Sequence, residues 1–396
     1  MTRDNLGRMY GVGLMAFILF LSTMVGVPVL PQLSKELGAD AAGVPIVVSA
    51  ALATVVLAQF FTGALADRFS KRAVVLAGAL LGSASSLLCV VATHWTHLVV
   101  FRVIGGLADA IAMPALLALT ATLGRDRPGR FFGILRGSQG LSYVIGPALG
   151  SAFSFVSLRA PFWVDGLLSL VASVAAIALL KDAEEARAEG GPNVFGGIRS
   201  TFSDRRVYLY LLMGISGIFS FGIFYSFVPA KSQLIGLKAW QIGAILSGGA
   251  LIFSLVSYTV GALSERWGRR MFVVASQAVV VLSGVGLIFS DGFASLCVSY
   301  GLFCLGETTT YLLSLVYAAE GFDQRHLGTS MGAFDSVMDL SLFIGPLMAV
   351  SVYKSTGQMA PVFLLAVAPA ALALFATALW LPRHDRPPRL HRRRTP

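Results

Sequence analysis

Long apolar runs alternate with short polar breaks along the whole chain. A helix needs about 20 mostly apolar residues to cross the hydrocarbon core of a bilayer. Runs of that size fall at approximately 9–30, 43–66, 73–92, 97–121, 131–155, 161–180, 207–229, 240–263, 271–290, 293–318, 328–352 and 360–381. A closed barrel, the other way to span a membrane, would show alternating segments of roughly ten residues, and this sequence has none. The pattern predicts an all-α membrane protein of twelve transmembrane helices. The first run follows Arg3 and Arg8, as a signal peptide would. It is too long for such a segment, no small-x-small cleavage site follows, and more spans come after it. We read it as the first span.

Composition supports this reading. The chain is 56% hydrophobic and 13% charged, whereas soluble domains carry about 25% charged residues. Most of its surface must therefore face lipid. Cys89, Cys297 and Cys304 sit inside apolar runs, so no disulfide framework is expected. The net charge of +10 is concentrated in loops and ends. With a cytoplasmic N-terminus, inner segments hold 24 Lys and Arg against 5 in outer ones, which by the positive-inside rule puts both termini inside. The basic tail from Arg383 to Arg394 then reads as a stop signal touching anionic lipid, not as a nucleic-acid arm. Four segments are expected: a six-helix bundle over 1–180, a cytoplasmic linker over 181–206, a second six-helix bundle over 207–381 and the tail over 382–396.

The two bundles repeat one another. Gly63-Ala-Leu-Ala-Asp67-Arg68-Phe-Ser-Lys71-Arg72 returns as Gly261-Ala-Leu-Ser-Glu265-Arg266-Trp-Gly-Arg-Arg270, at an offset of 198. Gly133, Ser142, Gly146 and Pro147 of the fifth span return as Gly332, Ser341, Gly345 and Pro346 of the eleventh, at an offset of 199. Val27-Pro28 matches Val228-Pro229, and Asp109 falls on Glu307, again at 198. Two six-helix halves related by an axis along the membrane normal place a substrate site near the midplane between them.

These residues resemble the major facilitator superfamily. The 63–72 segment is similar to its signature between the second and third helices, except that Ser70 stands where a second glycine is usual; the copy keeps Gly268. Gly133, Gly146, Pro147 and Gly150 resemble the antiporter motif of the fifth helix, with two of the usual glycines replaced by serine. Arg102 and Gly106 look like the fourth-helix motif, with Gly105 where Gln is common. The resemblance is to twelve-helix drug:proton antiporters. It implies that Asp67, with Glu265, latches the inner side shut together with Gly63, Arg68, Lys71, Arg72 and Arg266. It also implies export.

Charge inside a span is costly, about 2.5–3.5 kcal/mol on insertion scales, so intramembrane charges are functional candidates. Asp109 and Glu307 lie deep in their spans, and Arg102 is two turns before Asp109 on the same face. An acid in a cavity that wets and dries can gain and lose a proton. Asp109, Glu307 or both are expected to carry the proton, with Arg102 tuning or competing for the carboxylate. A satisfied structural partnership is the alternative for each. Asp335 is expected at an interface or paired with Arg136, and the deeper Asp339 is placed to meet a cationic substrate, a structural role being the alternative for both. Tyr311 is a candidate aromatic wall for the substrate, as are Phe221 and Tyr225, for which a lipid-facing position is the alternative.

No catalytic constellation, metal spacing or ATP-binding loop is present in the sequence. The expectation is therefore not an enzyme but a multi-pass carrier of the inner membrane. It would be monomeric and without cofactors, with protons, lipid and a small amphipathic or cationic compound as partners. Export or uptake of a sugar, metabolite or lipid-like molecule is the rival on the same fold; a membrane enzyme or channel is the more distant one.

Overall fold

The computed structural model describes residues 3–40, 43–179 and 194–381. Lys181, Arg187 and the arginine-rich tail lie outside the described residues. The helices are α1 (Arg3–Gly26), α2 (Leu30–Glu36), α3 (Gly43–Arg68), α4 (Lys71–Val90), α5 (Trp95–Leu123), α6 (Pro128–Ser154) and α7 (Ala160–Leu179) in the first half. A short α8 (Val194–Ser203) precedes α9 (Arg205–Leu234), α10 (Ala239–Trp267), α11 (Arg269–Ile288), α12 (Phe293–Gly321), α13 (Leu327–Thr356) and α14 (Met359–Trp380).

Twelve of these helices have 20 residues or more, one for each predicted span. Eleven stretches are long and apolar enough to be recognised as spans by composition; α6 is the long helix missing among them. It carries Arg130, Arg136 and Gln139 and is rich in Gly and Ser, because both its faces are committed to other helices. Most helices run past their predicted ends, since polar residues at the headgroup level still continue a helix after hydropathy has faded. The seventh, for example, reaches Leu234. Two helices were not predicted: α2, seven residues just after the first span, and α8, ten residues within the expected linker.

The departure of the first signature from its copy has a local cause. Ser70 is extended and accepts a hydrogen bond from the Ala73 N–H at 3.1 Å, an N-cap for α4. Its counterpart Gly268 joins α10 to α11 at a φ of 93°, a conformation that a serine would adopt only under strain.

The distribution of the core fixes the relation of the halves. At the end carrying the signature loops, here called the basic end, one apolar cluster draws on both: Met15, Phe132 and Leu135 pack with Leu312, Met331 and Phe334. Towards the opposite end the cores are separate. One contains only first-half residues such as Leu33, Leu98 and Phe162. The other contains only second-half residues such as Phe224, Tyr300 and Phe363. The halves are joined at the basic end and packed individually away from it.

Candidate transport site

The join runs along two seams, α3 against α13 and α6 against α10. Both are built from repeat-equivalent glycines. A Cβ on Gly63 would strike the Gly328 carbonyl, and one on Gly328 the Gly63 carbonyl; Gly261 and Gly129 stand in the same mutual relation. Gly332 abuts the Gln59 carbonyl and Gly133 that of Ser257. Small residues let the backbones approach this closely, which is how helices associate in a membrane without a hydrophobic driving force.

The two acids of the signatures close these seams. The Asp67 carboxylate accepts hydrogen bonds from the Gly328 N–H at 2.6 Å, the Thr329 N–H at 2.8 Å and the Thr329 hydroxyl, all at the start of α13. Glu265 accepts from the Arg130 N–H at 3.2 Å, at the start of α6. Each acid thus docks on the positive end of a helix in the other half. The basic residues divide differently. The guanidinium of Arg72 donates to the Ile177 carbonyl and that of Arg270 to the Ala378 carbonyl, both at 2.6 Å, capping α7 and α14 within their own halves. Arg68 and Arg266 are exposed, and Lys71 is buried.

The fifth-helix motif also splits by role. Gly133 lies on the seam, while Gly146 and Gly150 receive Met24 and Val25 of α1 inside the first half. Pro147 stands in a helix that continues to Ser154.

Above the glycines, a buried polar cluster bridges the halves. Arg136 of α6 pairs with Asp335 of α13 at 3.4 Å and donates to Gln139 at 2.7 Å. Its guanidinium lies 4.6 Å from the ring centroid of Tyr311, whose hydroxyl donates to Asp335 at 3.2 Å. Gln139 donates onward to Tyr143 at 2.7 Å, and Gln59 of α3 donates to Asp339 at 3.0 Å. Arg136 and Asp335 are repeat-equivalent positions 199 residues apart, so they meet across the pseudo-two-fold axis.

Asp109 and Glu307 each occupy the fifteenth position of a 29-residue helix. Asp109 is half-buried, and among the described residues no hydrogen bond or ion pair reaches its carboxylate. Glu307 is buried against Gly217 of α9, held by one long hydrogen bond from Thr308 at 3.4 Å, with Arg136 in electrostatic reach. Arg102 lies in electrostatic reach of Asp109 and also of Asp165, and its Nε has no partner among the described residues. Phe221 and Tyr225 stack with centroids 5.5 Å apart; Tyr225 is exposed.

Sequence reasoning missed Gln59, Gln139, Tyr143 and Asp165. The first three are uncharged and leave no mark on hydropathy. Asp165 did leave one: it lies in a predicted span, as Asp109 does, and accepts from Ser86 at 2.7 Å and Ser169 at 3.4 Å.

Comparison with known proteins gives the same architecture. A family model described as Major Facilitator Superfamily matches residues 12–346 and 236–396. The quinolone resistance protein NorA of Staphylococcus aureus (strain MSSA476) is 24% identical over 349 residues, covering 85% of this chain and 87% of that protein. Multidrug resistance protein 1 of Bacillus subtilis (strain 168) is 25% identical over 333 residues, covering 80% and 84%. Two crystal structures share the fold. One is the human organic anion transporter MFSD10 (TETRAN), with a TM-score of 0.83 at 17% identity, covering 95% of this chain and 100% of that one. The other is the transporter FucP in the outward conformation, at 0.79 and 12%, covering 95% and 99%.

Proposed function

The chain belongs to the Major Facilitator Superfamily, and from that premise we propose that it is a proton-coupled antiporter. It exports small amphipathic or cationic compounds across the inner membrane, with both termini cytoplasmic and the basic end facing the cytoplasm. The halves rock about the central site, and the described arrangement is the one closed to the cytoplasm.

The observation that carries this reading is the charge balance at the centre. Around the single guanidinium of Arg136 lie three carboxyl groups, Asp335, Asp339 and Glu307. A low-dielectric site does not hold such an excess of negative charge unbalanced. Protons or a cationic substrate supply the balance, and exchange of one for the other is antiport. Asp109 and Glu307, without ion-pair partners among the described residues, are the proton carriers, and Arg102 attracts the Asp109 carboxylate. The stacked rings of Phe221 and Tyr225 on α9 offer an aromatic wall for the substrate, with Asp339 beside the cluster. The relatives named for quinolone and multidrug resistance support an amphipathic substrate. The protein works as a monomer without a cofactor, driven by the proton gradient.

The test is transport into proteoliposomes holding an imposed pH gradient, with ethidium and a fluoroquinolone as probes. Wild-type protein concentrates a probe and dissipates the gradient as it does so. The double variant Asp109→Asn, Glu307→Gln is expected to bind the probe but lose gradient-driven accumulation. Full coupling in that variant would remove both carboxylates from the mechanism; accumulation of neither probe, with concentration of an anion or sugar instead, would overturn the substrate class.

A further inference from the structure

A groove of about 920 Å³ runs beside the α6–α10 seam and is bounded by α1, α6 and α10. Its walls are apolar, with Leu14 and Phe17 from α1, Ile134 from α6, and Tyr258 and Leu263 from α10. Arg130 of α6 and Arg266 of α10, both near the basic end of their helices, are also among its lining residues. We infer that it binds one anionic phospholipid from the leaflet at that end, with an acyl chain along the helices and the phosphate at the two arginines.

Length agrees with such an occupant. From Arg130 to Leu141 along α6 is 11 residues, about 16 Å at 1.5 Å per residue. That is half of a hydrocarbon core about 30 Å thick, the depth of one leaflet. Charge agrees as well. An apolar slot with the exposed Arg266 at its basic end, beside Arg130, complements a molecule with a long apolar tail and an anionic head, and basic pockets between transmembrane helices are suited to acidic headgroups.

The pseudo-symmetric seam supplies an independent argument. The position equivalent to Arg130 is Thr329, 199 residues on. There the chain covers itself: Gly197 of α8 packs on the Thr329 side chain, and Thr201 donates to the Ser330 hydroxyl at 2.7 Å. No helix of the described residues covers the α1/α6/α10 groove in that way. One seam is sealed by a short helix and the other by lipid.

The walls come from both halves, α1 and α6 from the first and α10 from the second. A lipid that touches all three therefore binds the arrangement closed at the basic end better than an opened one, and shifts the population towards it. This consequence does not depend on which substrate is carried or on proton coupling.

The full chain in detergent is titrated with phosphatidylglycerol and with phosphatidylcholine of identical acyl chains, and retained lipid is counted by native mass spectrometry. One phosphatidylglycerol should be retained in preference to phosphatidylcholine. A basic residue near an anionic surface is worth a factor of about five in affinity, so Arg266→Gln should lower phosphatidylglycerol retention about fivefold and leave phosphatidylcholine unchanged. Ala262→Trp fills the groove and leaves both arginines in place; it should abolish retention of either lipid, and Thr259→Trp serves as a second filling variant if that protein does not fold. A conformational readout uses Ser257, which is fully buried at the seam. With Cys89, Cys297 and Cys304 replaced, maleimide labelling of Ser257→Cys should be slower in phosphatidylglycerol vesicles than in phosphatidylcholine vesicles. Equal retention of the two lipids, or retention indifferent to the filling variants, would mean only a lipid annulus or a free-phosphate site and would overturn the inference.

Discussion

Replacing Asp67 by Asn tests whether the signature acids hold the basic end shut. In the closed arrangement the Asp67 carboxylate accepts three hydrogen bonds from Gly328 and Thr329 at the start of α13. Hydrogen bonds to a charged group contribute about 1.5–3 kcal/mol against about 0.5–1.5 kcal/mol for neutral pairs, so loss of the charge weakens each by ~1 kcal/mol. The start of α13 also loses an anion at its positive end, worth about 0.3–1 kcal/mol. Against this total of ~3–4 kcal/mol stands the lower cost of burying an amide at a half-exposed site. A net ~2 kcal/mol is the working figure, equivalent to about a thirtyfold rise in the ratio of opened to closed molecules. The assay is maleimide labelling of Ser257→Cys, which lies on the other seam and so reports separation of the halves and not local disturbance near Asp67. Labelling should accelerate about thirtyfold in Asp67→Asn and by a smaller factor in Glu265→Gln, which gives up fewer bonds. Because both latches oppose one motion, their effects should multiply in the double variant. An unchanged labelling rate in Asp67→Asn would refute the latch and leave the acid a topological marker.

Two further expectations follow from the geometry. Removing one partner of a buried ion pair costs about 3–5 kcal/mol, whereas replacing both costs much less. Thermal unfolding should therefore show Arg136→Gln more destabilised than the double variant Arg136→Gln, Asp335→Asn; additive losses would mean that the 3.4 Å pair is not coupled. A side chain at position 197 would collide with Thr329, so Gly197→Leu should lift α8 from α13 and expose residues 194–203 to limited proteolysis. Resistance equal to that of the wild type would show that α8 is held by something other than this contact.

The fold was legible because a bilayer leaves the chain few choices. Every backbone group must be satisfied within a helix, so hydropathy located the spans, and the repeat at offsets of 198 and 199 paired Gly63, Asp67 and Gly133 with their copies; that these residues form the seams between the halves came from the coordinates. What stayed hidden has physical causes. For Asp335 two expectations stand side by side in the sequence, an interfacial position or a pair with Arg136, because a fifth span started at residue 131 leaves Arg136 near the helix end. In the structure α6 begins at Pro128, which carries Arg136 two turns into the helix, and the buried pair is the one that forms. Gln59, Gln139 and Tyr143 have polar ends without charge, so only coordinates reveal that they converge. The ten residues of α8 are too few to span, and the helix is held by contacts with α13.

The position of the Arg136–Asp335 pair bears on how the two halves exchange signals. Because the residues are equivalent in the two repeats, their contact lies on the pseudo-two-fold axis, and on the proposed reading a rocking of the halves would separate them symmetrically. Tyr311 joins this pair to α12, which also carries Glu307 four residues earlier. On the proposed reading, adding a proton or a cation near Asp335 frees Arg136 from its partner at the point where the halves are joined. The guanidinium, already in electrostatic reach of Asp339 and Glu307, can then shift towards a remaining carboxylate without leaving the site. Movement of a single cation among acids of the second half would thus link occupancy of the centre to the strength of the join, and the latches at Asp67 and Glu265 would set how much occupancy is required before the basic end opens.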